Sequence, residues 1–344
     1  MPKKLIVCCD GTWNTADQPN TTNVFKLAKS LREEDSQGDT QLPYYRQGVG
    51  TREWERVRGG AFGMGLSSNV RHAYEFLVEA YEPGDTLYLF GFSRGAFTVR
   101  SLAGLVRNSG ILRRASDGRM QEAWDLYRNR TEVPTSEASM LFRRSYSYQP
   151  GIHFVGVWDT VGTLGIPALG PRFNREWGFH DTELSSSVKG AFHALAIDEQ
   201  RPQFAPTLWH QKSSAARNGQ ELKQVWFAGV HCDVGGGYES TALSDITLLW
   251  MVHQAHRYGL EFETKDLGEL KPDSMGEKNN SRTGFYRLRR RRHRPIGQAA
   301  DHQGRLDGCE YLSDTAQKRY DSSAEYRPPN LEDARRRQVP IESV

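Results

Sequence analysis

The stretch from Thr86 to Arg100, TLYLFGFSRGAFTVR, constrains the fold of this chain more than any other. Its apolar run from Leu87 to Phe90 predicts a buried strand, and the apolar spacing from Ala96 to Val106 predicts a helix. Between them lies Gly91-Phe92-Ser93-Arg94-Gly95, a G-x-S-x-G pentapeptide. A serine on a strained strand-to-helix turn, with glycines two positions on either side, is the local context of a catalytic nucleophile. The alternative is a glycine-rich turn that binds phosphate at a helix N-terminus.

Further strands and helices are predicted on both sides of this stretch. Apolar runs predict strands at Leu5–Cys9, Ile152–Trp158 and Val225–Val230. Helical spacing follows Asn23, and a second helix is predicted to open at Asn69, after a flexible loop at residues 59–65. Strands that alternate with helices are typical of a mostly parallel central sheet with helices on both faces, which is an α/β fold.

Composition excludes several classes of protein. The chain has 344 residues, of which 37% are hydrophobic, and its net charge is only +3, so global charge names no partner. No run approaches the roughly 18 apolar residues of a membrane span, and the apolar N-terminal stretch is too short for a signal peptide. The four cysteines show no C-x-x-C spacing, which favours free thiols in a cytoplasmic protein.

Two polar residues follow predicted strands later in the chain. Asp159 comes directly after the strand at 152–158, and His231 follows the strand at 225–230. Ser93, Asp159 and His231 therefore occur in the chain order of α/β-hydrolases. In such a triad the histidine is the general base for the serine, and the aspartate fixes its tautomer, with no metal or cofactor. Asp198 is an alternative acid and His193 an alternative base.

Two loops are candidates for the oxyanion hole. The N–H of Arg94, the residue after the serine, supplies one donor, and Gly11 or Thr12 is expected to supply the second. An apolar strand followed by Asp10-Gly-Thr also begins haloacid dehalogenase phosphatases, but these need a second aspartate where Cys8 stands. A metal-assisted phosphohydrolase that uses Asp10 and Asp233 is a weaker interpretation than the triad.

The composition of the sequence changes after about residue 266, where Lys, Asn, Ser and Arg become dominant. The run Arg287 to Arg294 is densely basic, which is typical either of a solvated loop or of a surface that binds anionic lipid. No aromatic residues interleave it, so nucleic acid is not expected. Because it lies beyond the last strand with a triad residue, we expect it to be separate from the catalytic site. We predict a catalytic domain at 1–265, with insertions around 111–150 and 163–220, and a basic extension at 266–344 packed on the same domain.

Over roughly residues 4–260 the chain resembles a family of α/β-hydrolase-domain proteins, classed as a domain of unknown function, that includes bacterial type VI secretion lipase effectors. The matching stretches are Cys9–Asn14, Thr22–Val24, Gly48–Thr51, Pro83–Asp85, Gly91–Ala96, Val157–Gly162, Ala194–Glu199 and His231–Tyr238. The resemblance implies an α/β-hydrolase-like fold and a serine esterase with the triad Ser93, Asp159 and His231. It also implies an ester or lipid substrate, export by a dedicated secretion system, and secretion-machinery or immunity partners.

Two classes of function remain open at this point. The first is a serine hydrolase that cleaves carboxylic esters as a lipase or phospholipase. The second is a noncatalytic α/β-hydrolase-like module that binds a ligand or partner. A serine, an aspartate and a histidine in the right order favour the hydrolase.

Overall fold

A parallel sheet organises the residues that the computed structural model describes, which are 2–11, 20–48, 59–161, 182–283, 287, 290–299 and 309–344. The strands are β1 Lys4–Cys9, β2 Gln41–Arg46, β3 Thr86–Phe92, β4 Ile111–Leu112, β5 Ser147–Tyr148, β6 Ile152–Trp158, β7 Val188–Ala196, β8 Glu221–Phe227, β9 Glu310–Ser313 and β10 Ile341–Glu342. Within this part of the chain, eight of these strands form one sheet in the order β10-β9-β8-β7-β6-β3-β1-β2, and all their pairings are parallel. The short strands β4 and β5 pair separately and antiparallel.

Helices follow most of these strands along the chain. They are α1 Asn23–Lys29, α2 Gly59–Ala80, α3 Arg94–Ser109, α4 Asp117–Arg128, α5 Glu137–Tyr146, α6 Ser213–Arg217, α7 His231–Gly235, α8 Ala242–Arg257, α9 Thr264–Gly268, α10 Asp314–Ser322 and α11 Pro329–Arg336. A 3-10 turn lies at Pro202–Phe204. The arrangement confirms the predicted α/β-hydrolase-like fold, with a sheet between two layers of helices.

Alternation along the strands builds a core on each face of the sheet. Leu5 and Val7 of β1 point into a cluster that contains the apolar residues of α2 and α3. Ile6, between them, points to the opposite cluster, which contains those of α1 and α8. All three side chains are fully buried, as expected for a central strand whose successive residues face opposite sides.

The C-terminal extension continues the same sheet. Strand β9 pairs in parallel with β8, and β10 pairs with β9. Trp226 of β8, Leu312 of β9 and Leu331 of α11 belong to a third buried cluster. In the described residues, the extension therefore adds two strands to the sheet and two helices beside it.

Two local predictions differ from the structure. Helix α2 begins at Gly59, so residues 59–65 are helical rather than a loop. A glycine disfavours a helix by only about 1 kcal/mol, which extension of an existing helix can absorb. The insertion expected around 163–220 contains the core strand β7, whose buried apolar run has no alternation to mark it. Residues 163–181 of that prediction lie outside the described part of the chain.

The length and apolar character of the helices bear on membrane insertion. In the described ranges, none combines enough length with enough apolar character to cross a membrane.

Candidate active site

The register of the sheet brings the candidate residues to one edge. Phe92 at the end of β3 is paired with Trp158 at the end of β6, so the next residues, Ser93 and Asp159, leave adjacent strands at the same level. His231 starts α7, four residues after β8, two strands further along the sheet. This is the carboxyl edge, where open α/β sheets place working groups.

Ser93 occupies a strained turn between β3 and α3. Its φ is 56° and its ψ is −115°, a conformation that non-glycine residues rarely adopt. Its N–H donates to the carbonyl of Trp158 at 3.0 Å, which ties the turn to β6. Such strain persists only where the surrounding structure enforces it, and it concentrates at functional sites.

The two glycines of the pentapeptide allow this turn to form. A Cβ added to Gly95 would lie 1.9 Å from the carbonyl oxygen of Cys9, at the end of β1. A Cβ on Gly91 would lie 2.5 Å from the carbonyl oxygen of Gly95. No side chain fits at either position, because the obstacles are backbone atoms of the neighbouring strand and of the turn itself. The sequence pattern is therefore a steric requirement of the turn.

Ser93, His231 and Asp159 form a continuous chain of hydrogen bonds. His231 Nε2 lies 2.8 Å from Ser93 Oγ, and His231 Nδ1 lies 2.5 Å from Asp159 Oδ2. All three residues are buried, with Ser93 6%, His231 4% and Asp159 0% exposed. The distances fall in the range in which a histidine can accept a proton from a nucleophile.

Asp159 is held from several sides. It has a positive φ of 40°, and its Oδ1 accepts a hydrogen bond from the N–H of Ala196 at 3.0 Å. Arg294 donates to both carboxylate oxygens, at 2.6 Å to Oδ1 and 3.0 Å to Oδ2. Burial alone would raise the pKa of Asp159, but the charge of Arg294 and the hydrogen bond from His231 outweigh it and hold that pKa well below its usual range.

Arg294 corrects the expectation that the whole run 287–294 lies apart from the site. Arg294 is 3% exposed, whereas Arg290, Arg291 and Arg292 are exposed to solvent. In the sequence, Arg294 comes after the last strand that leads to a triad residue. Its side chain still reaches the site, because the chain passes the end of β7 before it forms β9. The backbone N–H of Arg292 marks this return by donating to the carbonyl of Gln200.

Aromatic rings and one ion pair surround His231. The rings of Phe92 and Phe204 lie 4.6 and 4.9 Å from the imidazole, centroid to centroid. Glu199 accepts the backbone N–H of His231 at 3.4 Å and pairs with Arg201 at 2.9 Å. Burial lowers the pKa of His231 below its ordinary value, although the hydrogen bond to Asp159 opposes the shift. The imidazole is therefore neutral at neutral pH and can act as a base.

The structure places the three predicted oxyanion donors differently with respect to the site, as far as their positions are described. Arg94 is the first residue of α3, directly after Ser93, and its role as an oxyanion donor stays a prediction. The N–H of Gly11 donates to Oδ1 of Asp10 at 2.6 Å, so it is not directed at a substrate here, contrary to expectation. The Asp10 side chain is short and adjacent in sequence, so its carboxylate can accept the N–H of Gly11 locally. Thr12 lies outside the described residues.

The alternative acid and base lie elsewhere. Asp198 accepts hydrogen bonds from the N–H of Gly229 at 2.7 Å and from the hydroxyl of Tyr326 at 2.8 Å. His193 accepts the N–H of Thr160 at 3.1 Å and is fully buried. Burial, with the nearby charge of Arg100, lowers the pKa of His193 to about 3, so it stays neutral inside the sheet.

Asp10 and Asp233 are both engaged by the protein. Asp10 accepts hydrogen bonds from the hydroxyls of Thr22 at 2.6 Å and Tyr45 at 2.7 Å. Asp233 accepts from the N–H of Val230 at 2.9 Å and from the side chain of Asn279 at 2.7 Å. Among the residues with described positions, no three His, Cys, Asp or Glu side chains are grouped to hold a metal ion. Both aspartates organise loops around the carboxyl edge.

Comparison with solved structures finds neighbours of low identity. An uncharacterized protein from Pseudomonas aeruginosa is 19% identical with a TM-score of 0.47, over 79% of this chain and 49% of that chain. A putative carboxylesterase from Lactobacillus plantarum is 13% identical with a TM-score of 0.34, over 78% of this chain and 87% of the other. The type II thioesterase YbtT of the yersiniabactin pathway is 11% identical with a TM-score of 0.31, over 75% and 93%.

Sequence comparison is more specific. The uncharacterized protein YEL023C from Saccharomyces cerevisiae is 31% identical over an alignment 227 residues long, and the match covers 59% of this chain and 32% of the yeast protein. The chain thus matches about a third of the length of this relative. Residues 3–254 match the family model described as "T6SS, Phospholipase effector Tle1-like, catalytic domain". Since that match spans most of the chain and confirms the resemblance read from the motifs, this protein belongs to the family of Tle1-like phospholipase effector catalytic domains.

Proposed function

We propose that this protein is a serine hydrolase that cleaves carboxylic esters of lipids, with Ser93 as nucleophile, His231 as general base and Asp159 as the acid that orients it. The observation that carries the proposal is the hydrogen-bond chain from Ser93 through His231 to Asp159 at the end of a strained strand-to-helix turn. A noncatalytic module would have no need of a strained serine at 2.8 Å from a buried neutral histidine.

The geometry supports a two-step reaction. Ser93 Oγ attacks the ester carbonyl carbon while His231 Nε2 takes the hydroxyl proton, and the negative charge moves to the carbonyl oxygen. When the C–O bond to the leaving alcohol breaks, Nε2 returns the proton to that alcohol. Water then attacks the acyl-enzyme through the same base and releases the acid. Asp159 stabilises the imidazolium in both steps, and the N–H of Arg94 is the proposed oxyanion donor.

Family membership supports the choice of substrate class. The family description names a phospholipase effector, so we propose a glycerophospholipid or related lipid ester as substrate. It also makes secretion machinery and an immunity protein the proposed partners. A hydrolysis panel of phospholipid classes on purified protein tests the first of these proposals.

Labelling with a fluorophosphonate tests the mechanism, because this probe phosphonylates only activated serines. We expect one equivalent of label, attached to Ser93, and a labelling rate that follows deprotonation of His231. Since the pKa of His231 is lowered, the rate should fall as the pH drops through a midpoint below about 6.5, the ordinary histidine value. It should be flat around pH 7.

Mass spectrometry of the labelled peptide locates the modified residue. Label on another serine, or none, would reject the serine mechanism. A midpoint well above 6.5 would show that His231 is not the base that activates Ser93. Heat-denatured protein is the control for nonspecific reaction.

A separate proposal concerns the exposed part of the basic run. Arg287, Arg290, Arg291 and Arg292 are all exposed, and two of them line a polar pocket of about 510 Å³ together with Lys278. Near an anionic bilayer each such arginine contributes roughly 1 kcal/mol of binding free energy at low salt. We therefore propose that these four residues hold the protein at an anionic membrane surface.

Changing the four exposed arginines to glutamine should weaken binding to phosphatidylglycerol-containing vesicles by several kcal/mol in total, measured by vesicle sedimentation. Hydrolysis of a soluble short-chain ester should change little, because Arg294 is retained. Vesicles of phosphatidylcholine alone are the control. If sedimentation with anionic vesicles is unchanged, these residues form a solvated loop and the membrane-binding proposal is wrong.

A further inference from the structure

Arg294 touches the proposed triad but takes no part in the proton transfers. Four of its N–H bonds are used: Nη1 donates to Asp159 Oδ1 at 2.6 Å and to the carbonyl of Ala196 at 2.9 Å. Nη2 donates to Asp159 Oδ2 at 3.0 Å and to the carbonyl of Phe204 at 2.5 Å. An arginine that served only the protein surface would stay in solvent. Arg294 is instead 3% exposed and donates to these four acceptors.

We infer that Arg294 is a positioning residue, which holds Asp159 and the Phe204 segment in the geometry that His231 needs for catalysis. The inference rests on the proposed function and extends it to a residue outside the triad. It also lies outside residues 3–254, the part of the chain that matches the family model.

The first argument is the orientation of the carboxylate. Asp159 sits at a positive φ of 40°, so its backbone does not hold it there without help. The Ala196 N–H and Arg294 Nη1 occupy Oδ1, which leaves Oδ2 directed at His231 Nδ1. A planar guanidinium fixes both oxygens at once, and a lysine ammonium, as a single point charge, cannot reproduce this fork.

The second argument is the wall around the imidazole. The carbonyl of Phe204 accepts from Arg294, and the Phe204 ring meets the His231 ring edge-on at 4.9 Å. The carbonyl of Ala196, at the end of β7, accepts from the same guanidinium. One side chain therefore sets the position of the acid and of the ring that packs on the base.

The third argument is electrostatic. The charged groups that face His231 are Asp159 and the pair of Glu199 with Arg201, whose two charges largely cancel. Arg294 lies behind Asp159 and offsets its negative charge, so the imidazolium gains less from that carboxylate. Loss of Arg294 should therefore raise the pKa of His231 and move the acid limb of activity to higher pH.

The test compares Arg294→Met with the unchanged protein on a soluble nitrophenyl ester, with rates divided by the number of sites titrated by fluorophosphonate. We expect kcat per site to fall on the order of 10²-fold, because a misplaced catalytic group loses about that factor, while KM changes little. The acid limb of kcat/KM should move to higher pH. Arg294→Lys should keep the limb near its original position but recover only part of kcat.

Arg143→Met is the matched control, since it also removes a buried arginine, one that donates to the carbonyls of Asn108 and Pro134 in another part of the fold. It should lower stability without moving kcat per titrated site or the acid limb. If Arg294→Met behaves in the same way, its role is structural only and the inference is wrong.

A double-mutant cycle covers the case in which Arg294→Met does not fold. In an Asp159→Asn background, Arg294→Lys should have almost no further effect on kcat, because the carboxylate it orients is gone. An equal loss in both backgrounds would overturn the inference. Failure of the unchanged protein to react with fluorophosphonate or to hydrolyse any ester would instead defeat the proposed function.

Discussion

Replacement of Ser93 by alanine is expected to lower kcat for a short-chain nitrophenyl ester by about 10⁶-fold, to the rate of a protein without a nucleophile. The reason is that Ser93 Oγ is the atom that lies 2.8 Å from His231 Nε2 and would form the acyl-enzyme. The fold should persist, because alanine keeps the Cβ and the backbone hydrogen bond to Trp158. Circular dichroism and steady-state hydrolysis measure the two effects.

Ser101→Ala is the matched control, since Ser101 is also buried and lies about two turns into α3, the helix that follows Ser93. It should retain activity close to that of the unchanged protein. If Ser93→Ala kept wild-type rates, the proposed mechanism would be wrong. A glycine at position 93 should be equally inactive but more stable than alanine, because its backbone accepts the positive φ without strain.

The second large effect is expected from Asp159→Asn. Loss of the carboxylate should lower kcat on the order of 10⁴-fold, because an amide no longer fixes the imidazole tautomer or stabilises the imidazolium. It also leaves the buried Arg294 without its counter-ion, so we expect a loss of about 3–5 kcal/mol in the free energy of unfolding. Denaturant titration and steady-state kinetics separate the two losses.

Asp198→Asn provides the comparison, because Asp198 was the alternative acid by sequence and its side chain, 7% exposed, bonds to Gly229 and Tyr326 instead of His231. Its activity should stay within several-fold of the unchanged protein. A loss at Asp198 as large as that at Asp159 would show that the acid has been wrongly assigned.

The strand, turn and helix around Ser93 were predictable because local chemistry decides them. Only glycine fits at positions 91 and 95, because backbone atoms of the turn and of the end of β1 leave no room for a Cβ. This requirement can be recognised in the pentapeptide from 91 to 95. The order of Ser93, Asp159 and His231 was readable for a related reason, since each directly follows, or nearly follows, an apolar strand that marks the sheet edge.

Other features depend on contacts between distant parts of the chain. Arg294 is one arginine in a run of them, and only the return of the chain past β7 distinguishes it from its exposed neighbours. Strand β7 is buried along nearly its whole length, so its apolar run carries no period. The engagement of the Gly11 N–H by Asp10 depends on side-chain geometry, which no pattern of letters specifies.

Because Arg294 comes late in the chain, its position has a consequence for folding during translation. A nascent chain that has emerged only to the end of α8 already contains Ser93, Asp159 and His231, but not the cation that neutralises Asp159. In that state a carboxylate at the centre of the sheet edge would lack its main compensation for desolvation. The proposed site is therefore complete only when the segment before β9 has left the ribosome and docked, and we expect a chain that ends before Arg294 to lack full ester hydrolysis.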